Sequence, residues 1–372
     1  MLFSSIFGYN DVKTKLIQSV KDGRVAHALL FSGPDGSPIV PLALAFSQYL
    51  FCNDKGETDS CGVCHPCTIF GKLSHPDFFP IFPVSAVEED KKKESSIGRL
   101  MPLWRKFITQ QPFGGNFEWA EFYGAGNRQP VYTVEDTRAL VQNLSLKSFE
   151  GTYKIAFLWL ADQVRLESAN ALLKNLEEPT SNTIYILVSY QPERLLPTIL
   201  SRVQGIRVRG ASVGEVETYL TTHQMAEAEA AHEIAMACQG NYAFAIDAAS
   251  KGIGSSYHTR FANWMRKCFA GRYEELGPLA EDFASLGREG QKAYLSYGLS
   301  ILRQVLMAQM GIEADSTKDT FVSKFSTTLS PDAIEPMAQQ LDKLAAMVQR
   351  NIAPKLAFFA TSTKLHGIMR AR

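Results

Sequence analysis

The chain carries no surplus of charge: 38 Lys and Arg stand against 38 Asp and Glu. That excludes a uniformly basic nucleic-acid coat, though not a local basic patch. No run approaches ~18 apolar residues, so a transmembrane helix is excluded. The first residues, Met1-Leu2-Phe3-Ser4-Ser5-Ile6-Phe7-Gly8, lack the basic start and long apolar stretch of a signal peptide. A cytoplasmic protein is expected. There is no internal repeat, and no low-complexity tract beyond one short charge run. What is present is ordinary globular material. With 45% hydrophobic and 20% charged residues, disorder is not expected, and 372 residues suit two or three domains at roughly 100–200 residues each. Cores of that size need no disulfides.

Cysteine is sparse but clustered. Of six, Cys52, Cys61, Cys64 and Cys67 follow the spacing C-x8-C-x2-C-x2-C. In a reducing compartment such a group reads as metal-binding and not as disulfide. Thiolates are soft ligands, and four in tetrahedral array suit structural zinc. A catalytic ion needs an open position, which four cysteines do not leave. Cys61, Cys64 and Cys67 can wrap a loop around one ion, and Cys52, at the end of a preceding helix, can close the fourth position. His65 and His75 are alternative ligands. Cys238 and Cys268 lie in apolar helical contexts and read as small core residues.

The segment from His27 to Leu50 reads as strand, glycine-rich turn and helix, the setting of a phosphate-binding loop. Ala28 to Phe31 is the buried strand, Gly33-Pro34-Asp35-Gly36 the turn, and about Pro41 to Phe51 the helix. Laid on Gly33, the signature G-x-x-x-x-G-K-[ST] ends at Pro38, Ile39 and Val40. Pro38 has no N–H to offer a phosphate. Ile39 replaces the lysine and Val40 the hydroxyl that would hold Mg²⁺. ATP hydrolysis by this chain is not expected. A second strand, Tyr153 to Leu160, ends in Trp159-Leu160-Ala161 where a phosphate-loop enzyme would carry acidic residues. Asp162 lies beyond that position and reads as a surface or helix-capping residue.

Ser168 to Pro179 (SANALLKNLEEP) and Leu195 to Arg202 (LLPTILSR) then follow. With the four-cysteine spacing, Phe7-Gly8-Tyr9 and Ala26-His27-Ala28, they resemble the bacterial clamp-loader family, a branch of the AAA+ proteins. The resemblance covers about residues 5–80 and 132–250. It implies an α/β, P-loop-type parallel-sheet domain at 1–208, with the zinc module at 52–67. A small helical lid at 209–252 and an all-α collar at 253–372 would follow, the collar holding subunits in a ring. In the family's register the metal-binding acidic pair falls on Trp159 and Leu160, and a nucleotide-sensing arginine on Ala243. All three are lost. Arg202 matches the arginine of the SRC motif, with Val203 in place of its cysteine. That arginine is expected to reach the γ-phosphate of ATP on a neighbouring subunit, a task suited to a planar, permanent cation.

The resemblance thus implies a non-catalytic subunit of a DNA-directed DNA polymerase holoenzyme, in the cytoplasm at the nucleoid or replisome. Gamma/tau and delta subunits would be its partners, the sliding clamp an indirect one. Primer–template DNA would be reached through the assembled complex, mostly at phosphates. An active gamma/tau-like ATPase is disfavoured by Ile39 and the missing acidic pair. A zinc-dependent DNA-binding protein is disfavoured because the cysteine spacing is not that of a helix-inserting finger.

The stretch 83–131 has no counterpart in that pattern. Its charge run, Glu88 to Glu94, reads as a solvated face or mobile segment. Trp104, Phe107, Phe113, Phe117, Trp119, Phe122 and Tyr123 suit either stacking on single-stranded DNA or a helical subdomain packing its own aromatics, and the latter is favoured. Strands are expected near 28–32, 77–82, 154–160, 184–189 and 204–208. Ser212 and Glu215 form a capping box, and helices follow to the C-terminus.

Overall fold

In the computed structural model the five expected strands are β1 (Ala28–Ser32), β2 (Phe78–Ile81), β3 (Lys154–Trp159), β4 (Thr183–Ser189) and β5 (Gln204–Arg207). The structure describes all residues except 86–95, 126–129, 147, 150–151, 251, 253–256, 312–319, 351 and 371–372. The charge run at Glu88 to Glu94 lies outside the described residues. The strands form one parallel sheet in the order β2-β3-β4-β1-β5. β3 and β4 are buried along their whole length, as expected of central strands covered on both faces. β5 is a mostly exposed edge. Pro80 lies in β2 at the opposite edge, where its missing N–H breaks no ladder bond.

The helices of this region are α1 (Asn10–Lys21), α2 (Ile39–Phe51), α3 (His65–Gly71), α4 (Ser96–Gln110), α5 (Asn116–Phe122), α6 (Val134–Leu144), α7 (Leu166–Glu177) and α8 (Pro197–Leu200). Every residue of α2 is buried, which accounts for its apolar character all round. Pro41 falls in its first turn, where a missing N–H is tolerated.

The chain divides into two compact units. The first is Met1–Ala211 with Asn241–Ala243, the second Ser212–Gly240 with Phe244–Arg372. The second unit is helical: α9 (Val213–Thr222), α10 (Ala228–Ala237), α11 (Tyr242–Ser250, its first two residues counted with the first unit), α12 (Tyr257–Ala270), α13 (Leu276–Ser285), α14 (Gly287–Gln309), α15 (Thr320–Thr328), α16 (Pro331–Gln349) and α17 (Pro354–Arg370). The capping box is present at α9, with Glu215 N–H donating to Ser212 Oγ and Ser212 N–H to Glu215 Oε2. Trp264, donating to Ser362 Oγ at 2.8 Å, anchors a core that includes Cys268. α10 packs on α14, where Ser300 Oγ donates to the Met236 carbonyl. Among the described residues no helix is long and apolar enough to cross a membrane.

The aromatics of 83–131 do not form a core of their own. Trp104, Phe107 and Trp119 are fully buried in the core of the sheet. Trp104 stacks on Phe82 at 5.2 Å, and Trp119 Nε1 donates to the Pro83 carbonyl at 2.9 Å. These rings pack on one another, as Phe107 does on Trp119 (5.4 Å) and Phe122 (5.3 Å), and on the sheet in one shared core. Phe117 alone of the seven is strongly exposed, at 71%. The stacking surface for DNA considered from sequence is therefore spent on the core.

Candidate functional site

The two ends of α2 carry two of the sites. At its C-terminal end Cys52 is the cap residue. Cys64 caps the N-terminus of α3, and Cys67 lies in that helix's first turn. Cys52 Sγ is 3.6 Å from Cys61 Sγ and 3.9 Å from Cys64 Sγ, and all four sulfurs lie within 4.8 Å of one another. A tetrahedral four-thiolate centre with metal–sulfur bonds of ~2.3 Å sets its sulfurs ~3.8 Å apart. The cluster therefore fits a metal ion. Backbone N–H groups of Cys61 and Cys64 donate to Cys52 Sγ and Cys61 Sγ, each at 3.3 Å. Burial pushes the Cys67 thiol up to about 12 and raises Cys52 as well. At Cys64 burial also acts upward, but N–H donation from Asn53 and Cys67 and the neighbouring thiols outweigh it and bring it down to about 6.

Neither histidine joins this group. His75 is buried, its ring stacked on Phe51 at 3.9 Å and its Nδ1 accepting from Asp77 N–H. His65 is exposed at the start of α3. The loop is also fastened by protein alone. The Asp59 carboxylate accepts from the N–H groups of Phe3 (3.0 Å), Ser4 (2.8 Å) and Ser60 (2.8 Å).

At its N-terminal end α2 meets the glycine-rich turn. A helix N-terminus is a natural anion site because its first N–H groups are unpaired. Here Pro38 and Pro41 have no N–H, and Ile39 N–H donates to the Ser37 carbonyl at 2.9 Å. Ile39 and Val40 are completely buried. Gly33 is hemmed in: a Cβ there would lie 2.5 Å from the Val208 carbonyl. Gly36 has φ +70°, and a Cβ on it would sit 1.9 Å from Asn241 Oδ1. Tyr242 N–H donates to the Gly36 carbonyl at 3.0 Å, and the Tyr242 ring stacks on Phe113 at 4.6 Å. The turn keeps its glycines for close packing against protein. Ala243, where the sensing arginine would stand, belongs to this same covering segment.

At the end of β3, Trp159 and Leu160 are buried. The Trp159 ring lies among Phe107 (5.6 Å), Trp119 (6.1 Å) and Trp104 (6.3 Å). Its carbonyl accepts from Tyr132 Oη at 2.6 Å. The end of β3 is thus closed by an aromatic core. Asp162 is structural: its carboxylate accepts from Ser189 Oγ (2.8 Å) and Gln163 Nε2 (2.6 Å).

Arg202 follows α8 and is partly exposed. Its Nη1 donates to the Thr198 carbonyl (2.8 Å) and Ser201 Oγ (3.0 Å), and Nε and Nη2 both donate to Glu177 Oε1, Nε at 2.8 Å. Val203 packs half-buried against the core. His27 Nε2 donates to the Leu176 carbonyl at 3.0 Å, joining two of the motifs read from sequence.

The profile of the family described as DNA polymerase III, delta subunit, matches residues 8–212, more than half of the chain. The chain belongs to the DNA polymerase III delta-subunit family. Curated relatives agree. DNA polymerase III subunit delta' of Pseudomonas aeruginosa is 31% identical over 177 residues, 48% of this chain and 41% of that protein. Subunit delta' of Escherichia coli is 29% identical over 190 residues, 50% and 44% of the two chains. Subunit tau of E. coli is 26% identical over 262 residues, 68% and 33%. The matches thus span less than half the length of each of these relatives. Among solved structures, a DNA polymerase III gamma subunit-related protein of Thermotoga maritima aligns at 15% identity over 96% of this chain and 100% of its own, with a TM-score of 0.39.

Within the delta-subunit family frame, a linear reading missed Tyr132, Asn241 and Glu177. Tyr132 and Asn241 meet their partners only through the fold, so no local pattern points to them. Glu177 did carry a signal: a carboxylate on the last residue of a helix faces the negative end of the dipole and calls for a nearby cation.

Proposed function

We propose that the chain is a delta-prime-like, non-catalytic subunit of a DNA polymerase III clamp loader. It completes the ATPase site of a gamma/tau-type neighbour with Arg202, and helps place a ring-shaped clamp on primed DNA. The observation that carries this reading is a contrast. Ile39, Val40 and Trp159 stand buried where lysine, hydroxyl and acidic groups would serve ATP, while Arg202 lies partly exposed. A guanidinium placed near a neighbour's γ-phosphate stabilises charge that develops in the transition state. Cys52, Cys61, Cys64 and Cys67 hold a structural zinc ion, which cross-links the end of α2 to α3 and takes no part in the chemistry. Residues 209–252 act as the lid and 253–372 as the collar. Gamma/tau and delta subunits are the partners, and the work takes place in the cytoplasm at the replisome.

The test is ATP turnover by the cognate gamma/tau-type, delta and clamp mixture on primed DNA, with and without this chain. The isolated chain is expected to be silent and the mixture to speed up on its addition, with that gain lost in Arg202→Ala. Turnover by the isolated chain would overturn the non-catalytic reading. Full stimulation by Arg202→Ala would remove the finger.

A further inference from the structure

We infer that Glu177 sets how readily Arg202 is released to a phosphate, by holding the guanidinium against the chain's own surface. This rests on the finger reading above. A guanidinium has five N–H donors and grips a phosphate through two of them along one edge. In Arg202 the Nε/Nη2 edge is taken by Glu177 Oε1. The Nη1 donors go to the Thr198 carbonyl and Ser201 Oγ. Neither edge offers two unengaged donors until a contact opens.

Charge points the same way. The Arg202–Glu177 pair presents no net positive charge to an incoming anion. The contact that must yield is the carboxylate, because a phosphate competes for the same donors and repels Glu177 once they are shared. Both side chains are partly exposed, at 32% and 50%, so the pair is weak enough to exchange. Its geometry is nevertheless set by the fold. Glu177 ends α7, whose last turn is pinned by His27 through the Leu176 carbonyl. Glu177 touches no nucleotide in this scheme; it is a positioning residue that acts through Arg202.

The test titrates this chain, as wild type, Glu177→Gln, Arg202→Ala and the double variant, into the cognate gamma/tau-type, delta and clamp mixture on primed DNA. Glu177→Gln keeps the side-chain size and removes the charge. We expect its half-saturating concentration to fall roughly two- to fivefold, the range open to an exposed ion pair, with an unchanged thermal midpoint. The gain should shrink as salt is raised and vanish in the double variant. Coincident curves for Glu177→Gln and wild type, with Arg202→Ala inactive, would overturn the inference and leave the finger standing. Weaker stimulation by Glu177→Gln, or a gain that persists in the double variant, would also overturn it. Stimulation that survives in Arg202→Ala would instead sink the finger reading itself. Glu177→Ser serves as a second variant should the glutamine form fold poorly.

Discussion

One helix, α2, has two ends of opposite chemical character. Its C-terminal end keeps a complete set of polar ligands, with Cys52 beside three more thiols. Its N-terminal end follows a glycine-rich turn and carries only buried apolar side chains, Ile39 and Val40 among them. The difference teaches what each site needs. A four-thiolate centre depends on all of its ligands for cohesion, so losing one removes the ion. A phosphate loop also has a scaffolding role, because its glycines let strand, turn and helix pack closely. That role survives the loss of chemistry, provided that the emptied space is refilled. Ile39, Val40, Trp159 and Tyr242 are all buried here.

The sharpest way to break this comparison is to damage each end in turn. Cys64→Ser should abolish metal content and lower unfolding stability by about 5 kcal/mol, less than the ~10 kcal/mol or more of finger peptides, because Asp59 still holds the loop. Elemental analysis and urea unfolding check both; full metal content in the variant would discard the four-thiolate site. At the other end, Ile39→Lys restores the lysine in name alone. It places a charge at a buried helix N-terminus and should cost about 4 kcal/mol, without creating measurable Mg²⁺–ATP binding in calorimetry. Tight binding would mean that the loop is still open to phosphate.

A smaller effect concerns pH. Cys67 and Cys52 are raised by burial, while Cys64 is lowered to about 6. Near neutrality a thiol titrating at about 6 is already largely deprotonated, whereas the raised pair must give up protons to the metal. Zinc affinity should therefore strengthen as pH rises, by about tenfold per pH unit for each proton displaced. Competition against a chelator between mildly acidic and mildly alkaline pH checks the slope; a flat profile would show that the thiols are already ionised.

Much of the first unit was legible before folding. Four of the five strands fall on apolar runs, because a parallel sheet buried on both faces needs nearly continuous β-forming residues, whereas β5, QGIR, is a mostly exposed edge. The cysteine cluster was legible because its thiols sit on one loop and two adjoining helix ends. Between the histidine alternatives and Cys52, however, the choice required seeing His75 stacked on Phe51. The insertion was read only in part. Its helices and burial were expected, but its rings join the sheet and do not form a separate core. The Glu177 pairing with Arg202 was not foreseen, since the two residues meet through α7 and α8.

By itself, then, the sequence determined which residues stand in the glycine-rich turn and how the cysteines are spaced. Both are matters of residue identity at short spacing, where covalent geometry limits the alternatives. Only the tertiary structure decided what filled the frame and what holds the arginine. Burial is non-directional, so an aromatic residue such as Trp104 specifies that it will be covered but not by whom. A guanidinium likewise accepts any well-placed oxygen, and the fold alone brought Glu177 within its reach.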